Sequence, residues 1–321
     1  MRIQLQNLKK AQGRSLVEVM ISLTIGLMII LALTSLFVAN RQTYRSSDDK
    51  SRLDDEGRLA LNLLAYHVRM AGYGNLLSTV ESGVKEKSDD GLTSINETYP
   101  SLMSDFSNGE GKNIDAIQGC AGGFLDPKST VSPIPCAAGV GADAFRVSYV
   151  VDADSANVTA GAVPTDCLGA ELIKSPTPAV GKKPVGLDKW VIDNRFFVQL
   201  NNGVPELYCQ GNGNTNPGDP NLKNPAQPIA ENVERMQVTY GVSSNDGQTI
   251  DRYLPANSVT DWNSVISARI CLIVRSANDN VTTQKQTYRD CNDAVMTATD
   301  NRLRGVFSTT VSLRSRSTGA T

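Results

Sequence analysis

The sequence predicts an α+β domain in which one long N-terminal helix packs on an antiparallel β-sheet with disulfide-stapled loops. Three observations predict this class. Residues 19–40 carry no charge, residues 41–69 continue with helical spacing and no proline, and the later chain contains a series of short apolar stretches that are typical of strands. One helix against several antiparallel strands defines the α+β class.

Composition narrows the possible functions. The chain has 321 residues, 40% of them hydrophobic, and 31 basic against 33 acidic side chains give a net charge of −2. No general attraction to nucleic acid follows from this balance, and we predict no direct nucleic-acid site. The chain has one histidine, His67, so neither a Ser/His/Asp triad nor a histidine-rich metal site can be placed. We therefore expect a protein that is not an enzyme and has no cofactor or metal site.

The first element is an apolar helix long enough to cross a membrane. As a helix, the uncharged residues 19–40 span roughly 33 Å, which is close to the hydrocarbon thickness of a bilayer. The residues before them include Arg2, Lys9 and Lys10 and no acidic residue. The positive-inside rule then predicts a single span with a cytoplasmic N-terminus and the rest of the chain outside the inner membrane.

The start of this helix resembles a known processing signal. An ordinary secretory signal has its small cleavage-site residue after the apolar stretch, whereas here Gly13-Arg14-Ser15-Leu16-Val17-Glu18 comes before most of it. This arrangement resembles the class III signal of type IV prepilins. The resemblance implies that a prepilin peptidase cuts between Gly13 and Arg14 and methylates the new amino terminus. Arg14 would be the first mature residue, where the family usually has Phe or Met, and Glu18 the fifth.

Glu18 is the candidate for setting the assembly register. A carboxylate just inside an apolar segment is costly unless it is paired, and such residues are candidates for function. In a helical filament, the α-amine of one subunit could neutralise Glu18 of its neighbour. The alternative is a carboxylate that snorkels to the lipid headgroups of a simple anchor.

The second half of the helix is predicted to be amphipathic. Residues 41–69 contain six basic and five acidic side chains, so this stretch continues in water. Leu59, Leu63, Tyr66 and Met70 recur at spacings of 4, 3 and 4 and predict an apolar face, with Leu64 and Val68 alongside. The spacing predicts one helix over about 15–71, with possible soft points at Gly26 and Gly57 and an end at Gly72 and Gly74. His67 lies in this stretch, and we predict a packing or surface residue.

The remaining elements are predicted to be loops and strands. Residues 75–140 predict loops with short elements. The predicted strands are residues 145–151, 190–192, 195–200, 206–210, 235–242, 266–274 and 308–314. Asn201-Asn202-Gly203 lies between two of them and predicts a hairpin, because these residues tolerate a positive φ. The Asn-rich residues 211–219 lack the acidic pattern of an EF-hand, and we predict a mobile surface loop.

All six cysteines follow the membrane segment, so we expect structural disulfides in a periplasmic or extracellular compartment. A zinc site is disfavoured because the chain has no C-x-x-C pair. The cysteines are Cys120, Cys136, Cys167, Cys209, Cys271 and Cys291. Several connectivities stay open. The shortest sequential pairing would join Cys120 to Cys136, Cys167 to Cys209, and Cys271 to Cys291, and the last pair would staple a loop onto a core strand.

The C-terminal half resembles the PilW family of minor pilins. The resemblance lies in NVERMQVTYGV at 232–242, YLPA at 253–256, VISARICLIVR at 265–275 and RGVFSTTVSLR at 304–314. It implies a type IV pilin fold and a minor pilin that takes part in a priming or tip complex for pilus assembly. The implied partners are other minor pilins of the FimU, PilV and PilX kinds, the major pilin, a PilY-type tip adhesin, prepilin peptidase and the inner-membrane assembly platform.

The resemblance also implies an order of segments and a location. We expect a leader at 1–13, a transmembrane or filament-core helix at 14–40, a helical stem at 41–74 and a globular domain at 75–321. The protein would lie in the inner membrane before assembly and in the extracellular pilus, at its tip, afterwards. Two alternatives stay open: a J-type minor pseudopilin of type II secretion, and a membrane-anchored periplasmic binding or adhesive domain that does not polymerise.

Overall fold

The chain divides into two compact units, Met1–Asp49 and Lys50–Thr321. This computed structural model describes residues 15–73, 115–129, 133–139, 141–152, 163–172, 179–180, 183–184, 189–213, 224–244 and 249–314. The leader residues, including Gly13 and Arg14, lie outside these ranges, so the predicted processing junction is not among the described residues.

The N-terminal helix matches its predicted extent closely. Helix α1 covers Leu16–Met70, against the predicted 15–71. The helix ends at the predicted glycine. Gly72 has a φ of 74°, and Tyr73 N donates to Met70 O at 2.9 Å, as is typical of a glycine that terminates a helix. The other predicted end residue, Gly74, lies outside the described residues. The absence of proline and the helical spacing are thus enough to carry one helix through both units.

The described residues form thirteen strands and two short 3₁₀ helices. The strands are β1 Ile117–Cys120, β2 Ala144–Asp152, β3 Ala179–Val180, β4 Lys183–Pro184, β5 Lys189–Asn201, β6 Val204–Gln210, β7 Gln227–Glu231, β8 Val233–Val242, β9 Arg252–Pro255, β10 Val265–Arg275, β11 Thr287–Arg289, β12 Val295–Thr297 and β13 Arg304–Ser312. The 3₁₀ helices cover Ala256–Ser258 and Trp262–Ser264.

Two antiparallel sheets form the body of the second unit. The first sheet has the order β1-β2-β5-β6-β7, and the second has the order β13-β10-β8-β9. The pairs β3–β4 and β11–β12 are separate two-stranded hairpins. With α1, these sheets confirm the predicted α+β class.

The predicted strands fall within observed strands, except that the last one, residues 308–314, extends two residues past the end of β13. Residues 190–192 and 195–200 belong to one strand, β5, because Asp193 and Asn194 keep the register with β2. The last strand begins four residues earlier than predicted, at Arg304. The hairpin prediction is confirmed: Asn201 pairs with Val204, and Asn202 and Gly203 have φ values of 49° and 82°, as a type I′ turn requires. The strands that were missed are short, such as β1 and β9.

The predicted apolar face of the helix was partly wrong. Leu64 and Val68 are fully buried in the core between helix and sheets, but Leu59 is 58% exposed and Tyr66 56% exposed. The buried helix face also contains Leu53, Ala60 and Ala65, and Ala71 is buried just after the helix ends. Close approach explains the choice of face. A Cβ placed at Gly57 would lie 2.3 Å from the ring of Phe307 in β13, so the helix packs with its small residues against the sheet.

Candidate functional site

The first unit presents an apolar helix surface that no other described residue of the chain covers. Every large apolar side chain of residues 16–38 is between 46% and 75% exposed. By length and composition, this part of α1 can cross a membrane. A surface of this size and polarity is stable against lipid or against other apolar helices, but not against water.

The hydroxyl groups on this surface are satisfied within the helix itself. Ser22 Oγ donates to Glu18 O at 2.7 Å, Thr24 Oγ1 to Ile21 O at 2.8 Å and Ser35 Oγ to Ala32 O at 2.8 Å. Thr34 Oγ1 donates to Ile30 O in the same way. Such bonds leave no hydroxyl in need of an outside partner, which suits a helix buried in lipid or in a filament core.

Glu18 is the one charge on this surface. It lies in the first turn of α1, and no other charged residue occurs in residues 15–40. Its side chain is exposed. The free N–H groups of a helix's first turn favour a carboxylate at this place. The site therefore consists of a long apolar stripe with one negative charge at its N-terminal end.

His67 lies in the core of the second unit and does not face a cleft. It is 7% exposed, its Nδ1 atom is 3.3 Å from Asn194 Nδ2 and 3.5 Å from the Tyr149 hydroxyl, and its ring contacts Phe196. Burial lowers the pKa of His67 to about 4. The imidazole is thus neutral at pH 7 and its Nδ1 accepts a hydrogen bond from Asn194. This contact set is that of a packing residue.

A buried ionic cluster lies on the face of the first sheet that points away from His67. Asp193 is 3.5 Å from Arg146 Nε and 3.4 Å from Arg195 Nη2, and all three side chains are buried. Arg195 Nη1 also donates to Pro127 O at 2.6 Å and to Ser129 O at 2.8 Å. Burial lowers the pKa of the Arg195 guanidinium, and Asp193 acts in the opposite direction. The cluster holds a loop against the sheet, and sequence reasoning did not find it.

The cysteines form three disulfides, and the described residues include no free cysteine. The pairs are Cys120–Cys136, Cys167–Cys209 and Cys271–Cys291, with Cα–Cα distances of 5.2, 6.5 and 5.8 Å. This is the shortest sequential pairing. Each bond joins a strand to a connecting segment, and Cys271–Cys291 attaches the β11–β12 hairpin to the outer face of β10. The expectation of disulfide-stapled loops is confirmed.

A second ionic cluster closes one end of the second sheet. Arg304 Nε and Nη2 donate to the Glu234 carboxylate at 2.8 and 3.0 Å, and Nη1 donates to Asp300 Oδ1 at 2.6 Å. Burial lowers the pKa of Arg304, but the hydrogen bonds to Glu234 and Asp300 outweigh this effect and raise it. The hydrogen bond from Arg304 lowers the pKa of Asp300. These bonds join the start of β13 to β8.

No group of three or more His, Cys, Asp or Glu side chains suited to a metal ion occurs within the described ranges. The surface-loop prediction for residues 211–219 was wrong at its start, because residues 211–213 are buried. Asn212 Oδ1 accepts from Asp193 N at 3.0 Å, and Gly213 N donates to Asp166 Oδ2 at 2.9 Å. Residues 214–219 lie outside the described part of the chain.

One of three comparisons with known proteins supports the sequence resemblance. The family model of type IV pilus-assembly protein W matches residues 195–315. Comparison with curated proteins finds no significant match. Among solved structures, a type IV-like pilin from Thermus thermophilus aligns with a TM-score of 0.38 and 11% identity over 83% of this chain and 98% of that chain. The match over residues 195–315 therefore confirms the resemblance of this chain to the PilW family of type IV pilus-assembly proteins.

Proposed function

We propose that the chain is a minor pilin that takes part in a priming or tip complex for type IV pilus assembly, and that prepilin peptidase processes it after Gly13. The observation that supports this most directly is the uncovered apolar surface of residues 16–38 on a chain whose C-terminal part matches a pilus-assembly family. A surface of this kind needs lipid before assembly and helices of other subunits afterwards.

The physical basis of assembly would be the transfer of this helix from the bilayer to a filament core. Contacts between successive subunits would be heterologous, so that they propagate as a helix and do not close into a ring. Glu18 would pair with the α-amine at Arg14 of a neighbouring subunit. This pairing sets the axial register because an unpaired carboxylate in the core is costly.

The proposed role is structural. The partners would be other minor pilins of the FimU, PilV and PilX kinds, the major pilin, a PilY-type tip adhesin and the inner-membrane assembly platform. Before assembly the chain would be a single-pass inner-membrane protein with its N-terminus in the cytoplasm. After assembly it would lie in the extracellular pilus, at the tip.

The mass of the mature N-terminal peptide tests the processing step. We expect a peptide that begins at Arg14 in wild-type cells, and its loss both in cells without prepilin peptidase and in the Gly13→Ala variant. An intact leader beginning at Met1 in every strain would contradict the proposal. The chain would then be an anchored periplasmic domain that does not polymerise.

The Glu18→Gln variant tests the register role. It removes the charge and nearly keeps the size of the side chain, and we expect at least a tenfold loss of the chain from sheared filaments. Ser22→Ala is the matched control, one turn away and uncharged, and should assemble normally. Equal amounts of the Glu18→Gln and wild-type chains in filaments would contradict this role. Loss of protein export instead of pili would assign the chain to type II secretion.

A further inference from the structure

Within the described part of the chain, the strand β13 has a neighbouring strand on one side of its backbone only. On the side of β10, Leu313 N donates to Ile266 O at 2.9 Å and Leu303 O accepts from Ser276 N at 2.8 Å. The backbone groups of Arg304 point away from β10. Arg304 N donates to Gln286 Oε1 at 2.5 Å, and Arg304 O accepts from Gln286 Nε2 at 3.0 Å. Backbone groups of successive residues in a strand point to opposite sides. The N–H and C=O groups of Val306, Ser308, Thr310 and Ser312 therefore point away from β10.

Among the residues that the structure describes, no strand lies on the outward side of these four residues. β13 is the end strand of its sheet, and its one neighbour in the sheet is β10. Within the described ranges, no hydrogen bond reaches the outward backbone groups of these residues. Their side chains are also exposed. The edge thus offers four N–H donors and four C=O acceptors to a partner.

The other sheet edges carry features that prevent strand addition. At the opposite edge of the same sheet, β9 has four residues and includes Arg252 and Pro255. In the first sheet, β7 has five residues, includes Pro228 and pairs with β6 through a register shift, while β1 has four residues. Short strands, proline, charge and bulges are the usual protections of exposed edges.

The edge of β13 has none of these protections. The strand has nine residues, its residues 305–312 contain neither a charge nor a proline, and its register with β10 has no shift. Gln286 shows that the edge accepts an amide from the side, since its side-chain amide both donates to and accepts from Arg304 as a peptide group would. This contact covers the first residue of the strand and leaves the rest open.

We propose that the outer edge of β13, from Val306 to Ser312, binds an extended, weakly charged strand of a different subunit of the same filament and so extends the second sheet. Main-chain hydrogen bonds supply the affinity in such strand addition. An uncharged edge favours a weakly charged strand, because pairing would desolvate any charge placed opposite it. The partner's identity as a filament subunit rests on the proposed function.

The geometry disfavours a second copy of this chain as the partner. Antiparallel pairing of two β13 strands needs a two-fold axis perpendicular to the sheet. Residues 53 and 57 of the helix lie against Gly305 and Phe307 on the sheet face, so the helix segment of residues 50–70 runs across that face. The axis would point the two helix segments in opposite directions. The heterologous contacts of a helical filament contain no such axis between neighbouring subunits.

Hydrogen exchange of the full chain tests the pairing directly. In the purified chain in detergent, we expect fast exchange of the amides of Ser308, Thr310 and Ser312 and slow exchange of those of Phe307, Thr309 and Val311. In sheared filaments, the outward amides should slow at least tenfold. Fast exchange of these amides in filaments would contradict strand addition but would leave the proposed function standing. Absence of the chain from filaments would be a different result, which contradicts the proposed function and with it the partner named here.

A proline substitution tests the role of the outward N–H groups of β13 without changing the hydrogen bonds to β10. Thr310→Pro removes an outward N–H and leaves the hydrogen bonds to β10, and we expect at least a tenfold loss from filaments. Thr310→Val removes the hydroxyl but keeps the N–H, and this control should be incorporated normally. Normal incorporation of a folded Thr310→Pro chain would overturn the proposal. If this variant does not fold, the hydrogen exchange of the wild-type chain decides whether strand addition occurs.

Self-association is the remaining outcome. Sedimentation of the purified full chain should show no dimer that depends on β13. A dimer that Thr310→Pro dissociates would assign the edge to a second copy and overturn the partner proposed here.

Discussion

The two parts of α1 have the same secondary structure and opposite surroundings. Residues 16–38 expose every large apolar side chain, whereas Leu64 and Val68 further along are fully buried against the sheets. A helix in water depends mainly on tertiary packing for its stability, and the second part has that packing within its own chain. The first part has no such packing within the described residues, and under the proposed function lipid or other subunits would supply it. The same substitution should therefore change stability in one part and assembly in the other.

The largest contrast is expected from truncating one leucine in each part. Leu64→Ala removes a fully buried side chain, and we expect it to lower the free energy of unfolding by about 3 kcal/mol. Leu27 is 58% exposed, and Leu27→Ala should change it by less than about 0.5 kcal/mol. Urea unfolding of the full chain in mild detergent, followed by tryptophan fluorescence, measures both, because Trp190 and Trp262 lie in the second unit. Similar losses for the two variants would contradict the comparison.

Acid should weaken the second unit through His67. Its pKa is about 4 when folded and about 6.5 when unfolded, so the unfolded state binds the proton first as the pH falls. The free energy of unfolding should be unaffected above pH 6.5, fall between pH 6.5 and 4, and be lower by about 2 kcal/mol at pH 5. The first part of the helix has no histidine, so this dependence belongs to the second unit alone.

His67→Gln provides the control for this pH dependence. Glutamine stays neutral and can still accept a hydrogen bond from Asn194. The difference in unfolding free energy between wild type and this variant should shrink by about 2 kcal/mol from pH 7 to pH 5. A constant difference across this range would show that His67 is not buried in its neutral form.

The sequence predicted those parts of the fold that depend on local patterns. The bounds of α1, the hairpin at Asn202 and Gly203 and the strands that contain Cys209 and Cys271 followed from periodicity and turn residues. The buried face of the helix could not be predicted in this way. Leu59 and Leu64 lie on two neighbouring apolar faces that both have helical spacing, so spacing alone does not show which of them is buried. That choice depends on the close contact of Gly57 with Phe307, which lies 250 positions away in the sequence.

The candidate site divides in the same way. The apolar helix and Glu18 were visible in the sequence because composition alone marks a membrane segment. The cluster of Arg146, Asp193 and Arg195 was not visible, because Arg195 bonds to carbonyl groups 66 and 68 residues away. The open edge of β13 was also hidden, since it depends on which strand ends the sheet.

The smallest contrast is expected from the two glycines of α1 that the sequence marked as soft points. Gly57→Ala would place a Cβ 2.3 Å from the ring of Phe307, whereas at Gly26 nothing lies within 4 Å. Alanine favours a helix over glycine by about 1 kcal/mol, but overpacking at Gly57 costs about 1 to 3 kcal/mol. We expect Gly57→Ala to lower the free energy of unfolding by about 1 kcal/mol and Gly26→Ala to leave the tryptophan-monitored transition unchanged.

A second substitution identifies the cause of the loss at Gly57. Phe307→Leu shortens the side chain that the new Cβ would meet, so in the double variant the effect of Gly57→Ala should become smaller than in the wild-type background. If the loss is the same in both backgrounds, contact with Phe307 is not its cause, and the close approach of helix and sheet does not decide which face of α1 is buried. A loss that disappears with Phe307→Leu ties the choice of face to this one contact.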